Sequence, residues 1–383
     1  MDSKLPATGT TIFTVMSQLA AECGALNLSQ GFPEFNPDER LVEHVYRHMR
    51  AGSNQYAPMM GTPALRAALA EKVRLLYERD ASADSEITVC SGATEGLFSA
   101  IHATVRPGDE VIVFDPAYDS YEPAVTLAGG VTRHVPLVTT PSRRDLHIDP
   151  ERLKDAISDR TRLIILNFPH NPSGALIEPG DLDGLAESIR DRDVYLLSDE
   201  VYEHIVFDGA KHHSLLTHDE LWERSFVISS FGKTYHVTGW KIGYCVAPEA
   251  LTREFRKVHQ WNTFTTVTPM QLALADFLAD TPGHYDELCA FYEAKRDRFC
   301  DLLTTSRFGV RKAAGTFFQV LDYANISDED DVGFARRLTT ESGIASIPVS
   351  VFCEAPTGRS ELRFCFAKND ETLEQAAEIL CKL

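Results

Sequence analysis

The sequence is poor in several features that mark large classes of protein. None of its 383 residues belong to an apolar run near the roughly 18 that a membrane helix needs, and Met1–Thr11 has no continuous apolar core of a secretory signal. Basic residues are scarce: 37 Lys and Arg stand against 56 Asp and Glu, a formal charge of −19. With no long basic run to offset that balance, nucleic-acid phosphate is not an expected partner. The eight cysteines (Cys23, Cys90, Cys245, Cys289, Cys300, Cys353, Cys365 and Cys381) form no C-x-x-C pair, which argues against zinc and against a redox dithiol. No metal site is expected. A chain of this length builds a core without disulfides, so buried thiols in a reducing cytoplasm are the expected state. Internal repeats and low-complexity segments are also missing.

What is present suits a folded, enzyme-sized chain: 44% hydrophobic and 24% charged residues. The length allows a few compact units, or one large α/β domain with a companion. Residues 1–36 read as an arm with a short helix around Phe13–Glu22, and Asn36-Pro37-Asp38-Glu39 reads as a helix start capped by Asn36. From residue 86 to 247 apolar, strand-length runs alternate with helical segments: Ile87–Cys90, Val111–Phe114, Val131–Val135, Leu163–Leu166, Val194–Leu197, Phe226–Ile228 and Trp240–Val246. Continuous apolar runs separated by helices predict a mostly parallel sheet covered on both faces. Beyond residue 307, the runs Phe317–Leu321, Ile344–Ile347 and Leu362–Phe366 mix with helices as in a smaller α+β unit. His44 and His48, four apart on a predicted helix, and His212-His213 in a polar loop, read as solvent-facing.

Four short segments follow strand ends: Ser91-Gly92-Ala93-Thr94-Glu95, Pro169 to Gly174, Asp199-Glu200-Val201-Tyr202, and Ser230-Phe231-Gly232-Lys233-Thr234. Taken singly, each has an ordinary reading as a helix cap, a turn or a surface cation. In doubly wound sheets, however, ligands sit outside the carboxyl ends of strands, where these loops converge. A helix start that binds phosphate through its N–H groups, an acid, a phenol and a lysine are what a pyridoxal phosphate site requires.

Three motifs in this order give the resemblance its weight: Asn171-Pro172-Ser173-Gly174, Asp199-Glu200-Val201-Tyr202, and Ser229-Ser230-Phe231-Gly232-Lys233-Thr234 leading to Thr238-Gly239-Trp240-Lys241-Ile242-Gly243. Across essentially its whole length the chain resembles the fold-type I, pyridoxal-phosphate-dependent class I/II aminotransferases. Within them, Gly31–Phe35, Asn54–Pro58 and the segment from Ser350 to Arg363 look most like bacterial methionine aminotransferases, with the kynurenine/glutamine group close behind.

The resemblance implies a large α/β domain with a mostly parallel seven-stranded sheet flanked by helices, plus a smaller α+β domain. It divides the chain into an arm and part of the small domain (1–40), a cofactor-binding domain (41–275) and a small domain (276–383). It implies that Lys233 is the Schiff-base lysine and that Asp199 keeps the ring nitrogen protonated. Asn171 and Tyr202 bond the phenolic oxygen, and Tyr118, or else Tyr121, stacks on the ring. Ala93, Thr94, Ser230 and Lys241 hold the phosphate. Most relatives carry arginine where this chain has Lys241, so a point charge replaces a fork. Arg363 grips the substrate carboxylate, with Gly31 beside it. Phe13, Phe264, Phe352 and Tyr56 match side-chain-pocket positions. Tyr56 and Phe264 are those given across the interface of a homodimer, Tyr56 toward the phosphate.

The expected reaction moves the amino group of methionine, or a similar large uncharged or aromatic amino acid, to a 2-oxo acid. A C–S β-lyase on the same scaffold and a kynurenine/glutamine aminotransferase are the alternatives. A ligand-sensing regulator with a DNA-binding domain is disfavoured, because only about 36 residues precede the first clear helix.

Overall fold

In the computed structural model, which describes residues 1–6 and 8–383, the alternation of apolar residues along the strands explains the layers. A two-residue strand β1 (Leu26–Asn27) follows the first helix, Ile12–Cys23. The central sheet is then built from β2 (Ile87–Cys90), β3 (Glu110–Asp115), β4 (Val131–Pro136), β5 (Thr161–Asn167), β6 (Tyr195–Asp199), β7 (Ser225–Ser230) and β8 (Gly243–Val246). Its order is β2-β8-β7-β6-β5-β3-β4, with only β8 running against the others. β3 is buried along its whole length. Its Ile112 and Phe114 join Ile164, Leu166 and Leu196 in one core, while Val111 and Val113 join Leu163, Ile165 and Leu197 in another. Period-two side chains thus bury both faces.

The smaller unit pairs β9 (Gly309–Val310), β10 (Phe318–Asp322), β12 (Ile347–Pro348) and β13 (Glu361–Cys365) antiparallel. Between them β11 (Ile344–Ala345) pairs parallel with β1, so the arm is stitched to this unit by backbone as well as by Met16 and Leu28 in its core. The expected strand Ile344–Ile347 is therefore two strands with different partners, broken at the buried Ser346.

Three further expectations change. The second helix spans Glu39–Arg50 and is capped by Asp38, whose carboxylate accepts the Arg40 N–H, so Asn36 lies outside it. The seventh strand begins at Gly243 rather than Trp240. Residues Thr238–Trp240 form a 3-10 turn, and Lys241 (φ 53°) turns the backbone before the strand can start. Three of the four histidines are not free in solvent: His44 and His48 pair with Asp280 and Asp276, and His212 bonds the buried Glu200 carboxylate at 2.7 Å. In each case an acid from a distant segment covers the ring, which local polarity does not disclose. No helix among the described residues is long and apolar enough to cross a membrane, and all eight cysteines are free.

Candidate active site

Parallel pairing sets the ends of β5, β6 and β7 side by side, with Asn167 opposite Asp199 and Asp199 opposite Ile228. They open on a cavity of about 390 Å³ whose wall includes Phe13, Gly31, Ala93, Thr94, Tyr118, Asn171, Asp199, Tyr202, Ser230, Lys233, Lys241 and Arg363. Segments more than 300 residues apart in sequence thus meet in one space.

Asp199 is buried at the end of β6. Tyr121 donates its hydroxyl to Oδ2 at 2.8 Å, while Oδ1 is buried without a partner among the described residues. Burial, only partly countered by the Tyr121 hydrogen bond, pushes the Asp199 carboxyl up to about 6. One carboxylate oxygen thus awaits a donor. Tyr121 is the donor to the acid, and Tyr118 is the tyrosine on the cavity wall. Burial also raises the Tyr118 phenol to about 12, so it stays neutral.

Lys233 sits in the one-turn helix Phe231–Thr234 after β7. Its Nζ donates to the Gly31 carbonyl at 2.7 Å, above the rings of Tyr202 and Phe317. Burial, with the nearby Arg363 and Lys241 charges, brings its ammonium down to about 8, against the pull of Asp199. A lysine so placed is partly neutral near neutral pH. Gly31 is needed there: a Cβ would lie 2.8 Å from Phe318 Cζ.

At the other end the helix Gly92–Thr104 points its first turn into the cavity, and no side chain caps it. Gly92 has φ +76°, and a Cβ there would meet Lys241 Nζ at 3.3 Å; a Cβ at Gly243 would lie 2.9 Å from the Ala93 nitrogen. Two glycines therefore let an ammonium and free N–H groups crowd into one cup. Lys241 makes no ion pair among the described residues. Free amides, the Thr94 and Ser230 hydroxyls and an unpaired cation suit a phosphate.

Arg363 is fully buried on β13. It donates to Asn171 Oδ1 at 2.8 Å and to the Ser29 carbonyl at 2.7 Å, and its Nε has no partner among the described residues. The guanidinium stacks 3.9 Å from the Phe318 centroid and 5.0 Å from that of Phe13. Burial lowers it to about 10, so it remains charged. Because Asn171 Oδ1 is taken by Arg363, its amide nitrogen is left for another acceptor.

Three of the expected residues stand elsewhere. Phe352 backs Phe13, centroids 5.8 Å apart, rather than lining the wall. Tyr56 and Phe264 pack edge-on against each other at 5.8 Å and are 85% and 41% exposed, away from this chain's own cavity. Residues not singled out from sequence also matter. Asn167 donates to the Asp199 carbonyl at 3.0 Å and accepts from the Asn171 N–H. Its position as the last residue of an apolar run was the available signal.

The donor set fits pyridoxal phosphate: an orphan carboxylate oxygen for a ring N–H, a cationic cup for a phosphate and an amine between them. The family model for aminotransferase class I and II matches residues 24–380. The chain belongs to that family. It is a pyridoxal-phosphate-dependent aminotransferase with the fold-type I architecture. Methionine aminotransferase of Escherichia coli (strain K12) is 50% identical over all of this chain and 98% of its own length, and its crystal structure superimposes with a TM-score of 0.96 over 100% of this chain and 99% of that one. The structure of N-succinyldiaminopimelate aminotransferase from Mycobacterium tuberculosis is 36% identical, also with a TM-score of 0.96, covering 100% of this chain and 99% of that one. Human kynurenine–oxoglutarate transaminase 3 is 36% identical over 96% of this chain and 87% of its own.

Proposed function

We propose that this aminotransferase takes methionine, or a similarly large uncharged amino acid, as amino donor to a 2-oxo acid. The observation that carries this reading is the wall around Arg363. The one arginine on the wall, Arg363, has its Nε free and lies over the rings of Phe13 and Phe318, and the remaining cations on the wall are Lys233 and Lys241. That leaves one arginine for the carboxylate shared by all substrates and apolar surface for the side chain. The 50% identity to a methionine aminotransferase supports the same donor. The aromatic wall also admits kynurenine, whose transaminases are among the relatives.

In this reading Arg363 orients the donor by its carboxylate, with the Gly31 backbone beside it. Phe13, with Phe352 behind it, packs the side chain and excludes water. Pyridoxal phosphate supplies an aldehyde and a ring that stabilises negative charge at the substrate Cα. Lys233 Nζ, its ammonium lowered to about 8 by burial, would take the proton from that Cα and deliver it to the cofactor's aldehyde carbon, on the far side of the intervening nitrogen. Asp199 Oδ1 would hold the ring nitrogen, Tyr118 would pack on the ring, and the Asn171 amide and Tyr202 hydroxyl would serve the phenolic oxygen. Ala93, Thr94, Ser230 and Lys241 would take the phosphate. Exposed Tyr56 and Phe264 reach the cavity of a second copy in a cytoplasmic homodimer, Tyr56 toward its phosphate. Residues 1–40 act as the arm and part of the small unit, 41–275 as the cofactor-binding unit, and 276–383 as the rest of the small unit.

A panel of amino donors against several 2-oxo acids tests the substrate. Methionine should exceed aspartate in kcat/KM by about 100-fold, with its 2-oxo acid formed only when an acceptor is present. A preference for aspartate overturns the reading. Acceptor-independent pyruvate from cystathionine would point to the β-lyase.

A further inference from the structure

A carboxylate lies directly behind the phosphate-facing turn. Glu95, in the first turn of the helix Gly92–Thr104, accepts the Ser91 N–H at 3.1 Å on Oε2 and the Ser99 hydroxyl at 2.6 Å on Oε1. It thereby holds the helix start in place. Left alone, its negative charge would oppose a phosphate dianion bound at the same helix start.

His259, fully buried on the helix Glu249–Asn262, meets the same Oε1 through Nδ1 at 3.0 Å. Its Nε2 lies 3.0 Å from the Met59 carbonyl, which can only accept. Nε2 therefore carries a proton. Burial pushes the Glu95 carboxyl up, but its bonds to His259, Ser99 and Ser91 bring it below its ordinary value. With Nε2 already protonated, the 3.0 Å contact between Nδ1 and the carboxyl oxygen needs one further proton between the two groups, which leaves the pair neutral overall. The backbone carbonyl of His259 also receives the Thr263 and Phe264 N–H groups, each at 3.0 Å. One residue thus ties the phosphate-facing helix to the loop before Met60, which carries Tyr56, and to the turn carrying Phe264.

We propose that Glu95 and His259 form a buried, charge-neutral pair that positions the phosphate cup, the proton they share allowing an acid to organise the helix start without repelling the phosphate. Both are positioning residues, since neither lines the cavity. The proposal rests on the assignment of the cup to the cofactor phosphate made above.

The test uses cofactor-free, full-length protein titrated with pyridoxal phosphate and, separately, with pyridoxal, which lacks the phosphate. Wild type should prefer the phosphorylated form strongly; equal affinity would overturn the cup assignment itself. Given that preference, His259→Gln leaves a bare carboxylate and should weaken pyridoxal phosphate at least about tenfold. Pyridoxal binding should stay within about threefold, and Glu95→Gln combined with His259→Gln should recover pyridoxal phosphate affinity to within about threefold of wild type. A structural role alone predicts the opposite, with the double variant worse and both ligands equally affected. Either that pattern or unchanged affinity in His259→Gln overturns the pair. Should the single variant fail to fold, neutron diffraction of wild-type crystals at neutral pH decides. Deuterium on Nε2 and in the contact between Nδ1 and Glu95 Oε1 supports the proposal, and a contact with no deuterium between those two atoms overturns it.

Discussion

At the cofactor end of the cavity, Asp199 and Ser230 end neighbouring strands of one sheet, and Lys233 follows in the one-turn helix after the second of them, its Nζ reaching the Gly31 carbonyl. At the substrate end, Phe13 and Gly31 come from the arm, Tyr118 from the loop after β3, and Arg363 and Phe318 from the small unit. Two hydrogen bonds, from Arg363 to Asn171 and to Ser29, join these separate pieces. The contrast separates chemistry from recognition. A rigid sheet holds the groups that move protons, while the groups that read the side chain sit where several segments meet and can be altered piecemeal.

The sharpest way to break that division is at Lys233. Lys233→Met should lower kcat by about 10⁴-fold or more for every donor, since no other amine lines the wall near Asp199. The same variant should stabilise the cofactor-free protein. Burial holds the Lys233 ammonium down at about 8, against an ordinary 10.5, so at neutral pH the charged form is a burden on the fold. Between pH 8 and 10.5 the unfolded chain binds more protons than the folded one, so wild-type stability from this group rises with pH across that window. The advantage of Lys233→Met should be greatest below pH 8, about 1–2 kcal/mol after allowing for water in the cavity, and should vanish toward pH 10.5. Denaturant titrations of both proteins across that range measure it; a variant less stable at pH 7 would contradict the assignment of strain to this amine.

Arg363→Ala probes the substrate end. It removes the charged donor common to all substrates, so kcat/KM should fall about 10²–10³-fold for methionine, phenylalanine and aspartate alike. Steady-state kinetics on the three donors checks this, and a loss confined to one side-chain class would move the carboxylate site elsewhere. The cofactor end should be untouched, with pyridoxal phosphate affinity unchanged.

The two ends also differ in how much of them the sequence discloses. Asp199, Asn171 and Lys233 are legible because each follows an apolar run, and a strand end is a local property. The seven strands emerge for the same reason, although the last begins three residues late because Lys241 takes a left-handed turn. What pairs with these residues is not local. Tyr121 lies 78 residues from the acid it bonds, and Arg363 lies 334 from the Ser29 carbonyl. The spacing Tyr118-x-x-Tyr121 marks two aromatic candidates, yet only the packing of the segment after β3 against β6 decides which faces the cavity. His212 misleads in the opposite sense, a polar loop residue buried on Glu200.

The smallest effect expected is also the most selective. Phe13 touches both halves of recognition: its ring lies 5.0 Å from the Arg363 guanidinium and 6.3 Å from Tyr118. Replacing it by alanine removes apolar wall but leaves the two hydrogen bonds of Arg363 intact. A hydrophobic wall discriminates by about 1–3 kcal/mol, so Phe13→Ala should lower kcat/KM for methionine by about tenfold while leaving alanine as donor within about twofold. Arg363→Ala, by contrast, spares no donor. Equal losses for methionine and alanine would mean that Phe13 acts through Arg363 instead, stacking to hold the guanidinium in register. The division between gripping the carboxylate and reading the side chain would then fail at the residue where the two meet.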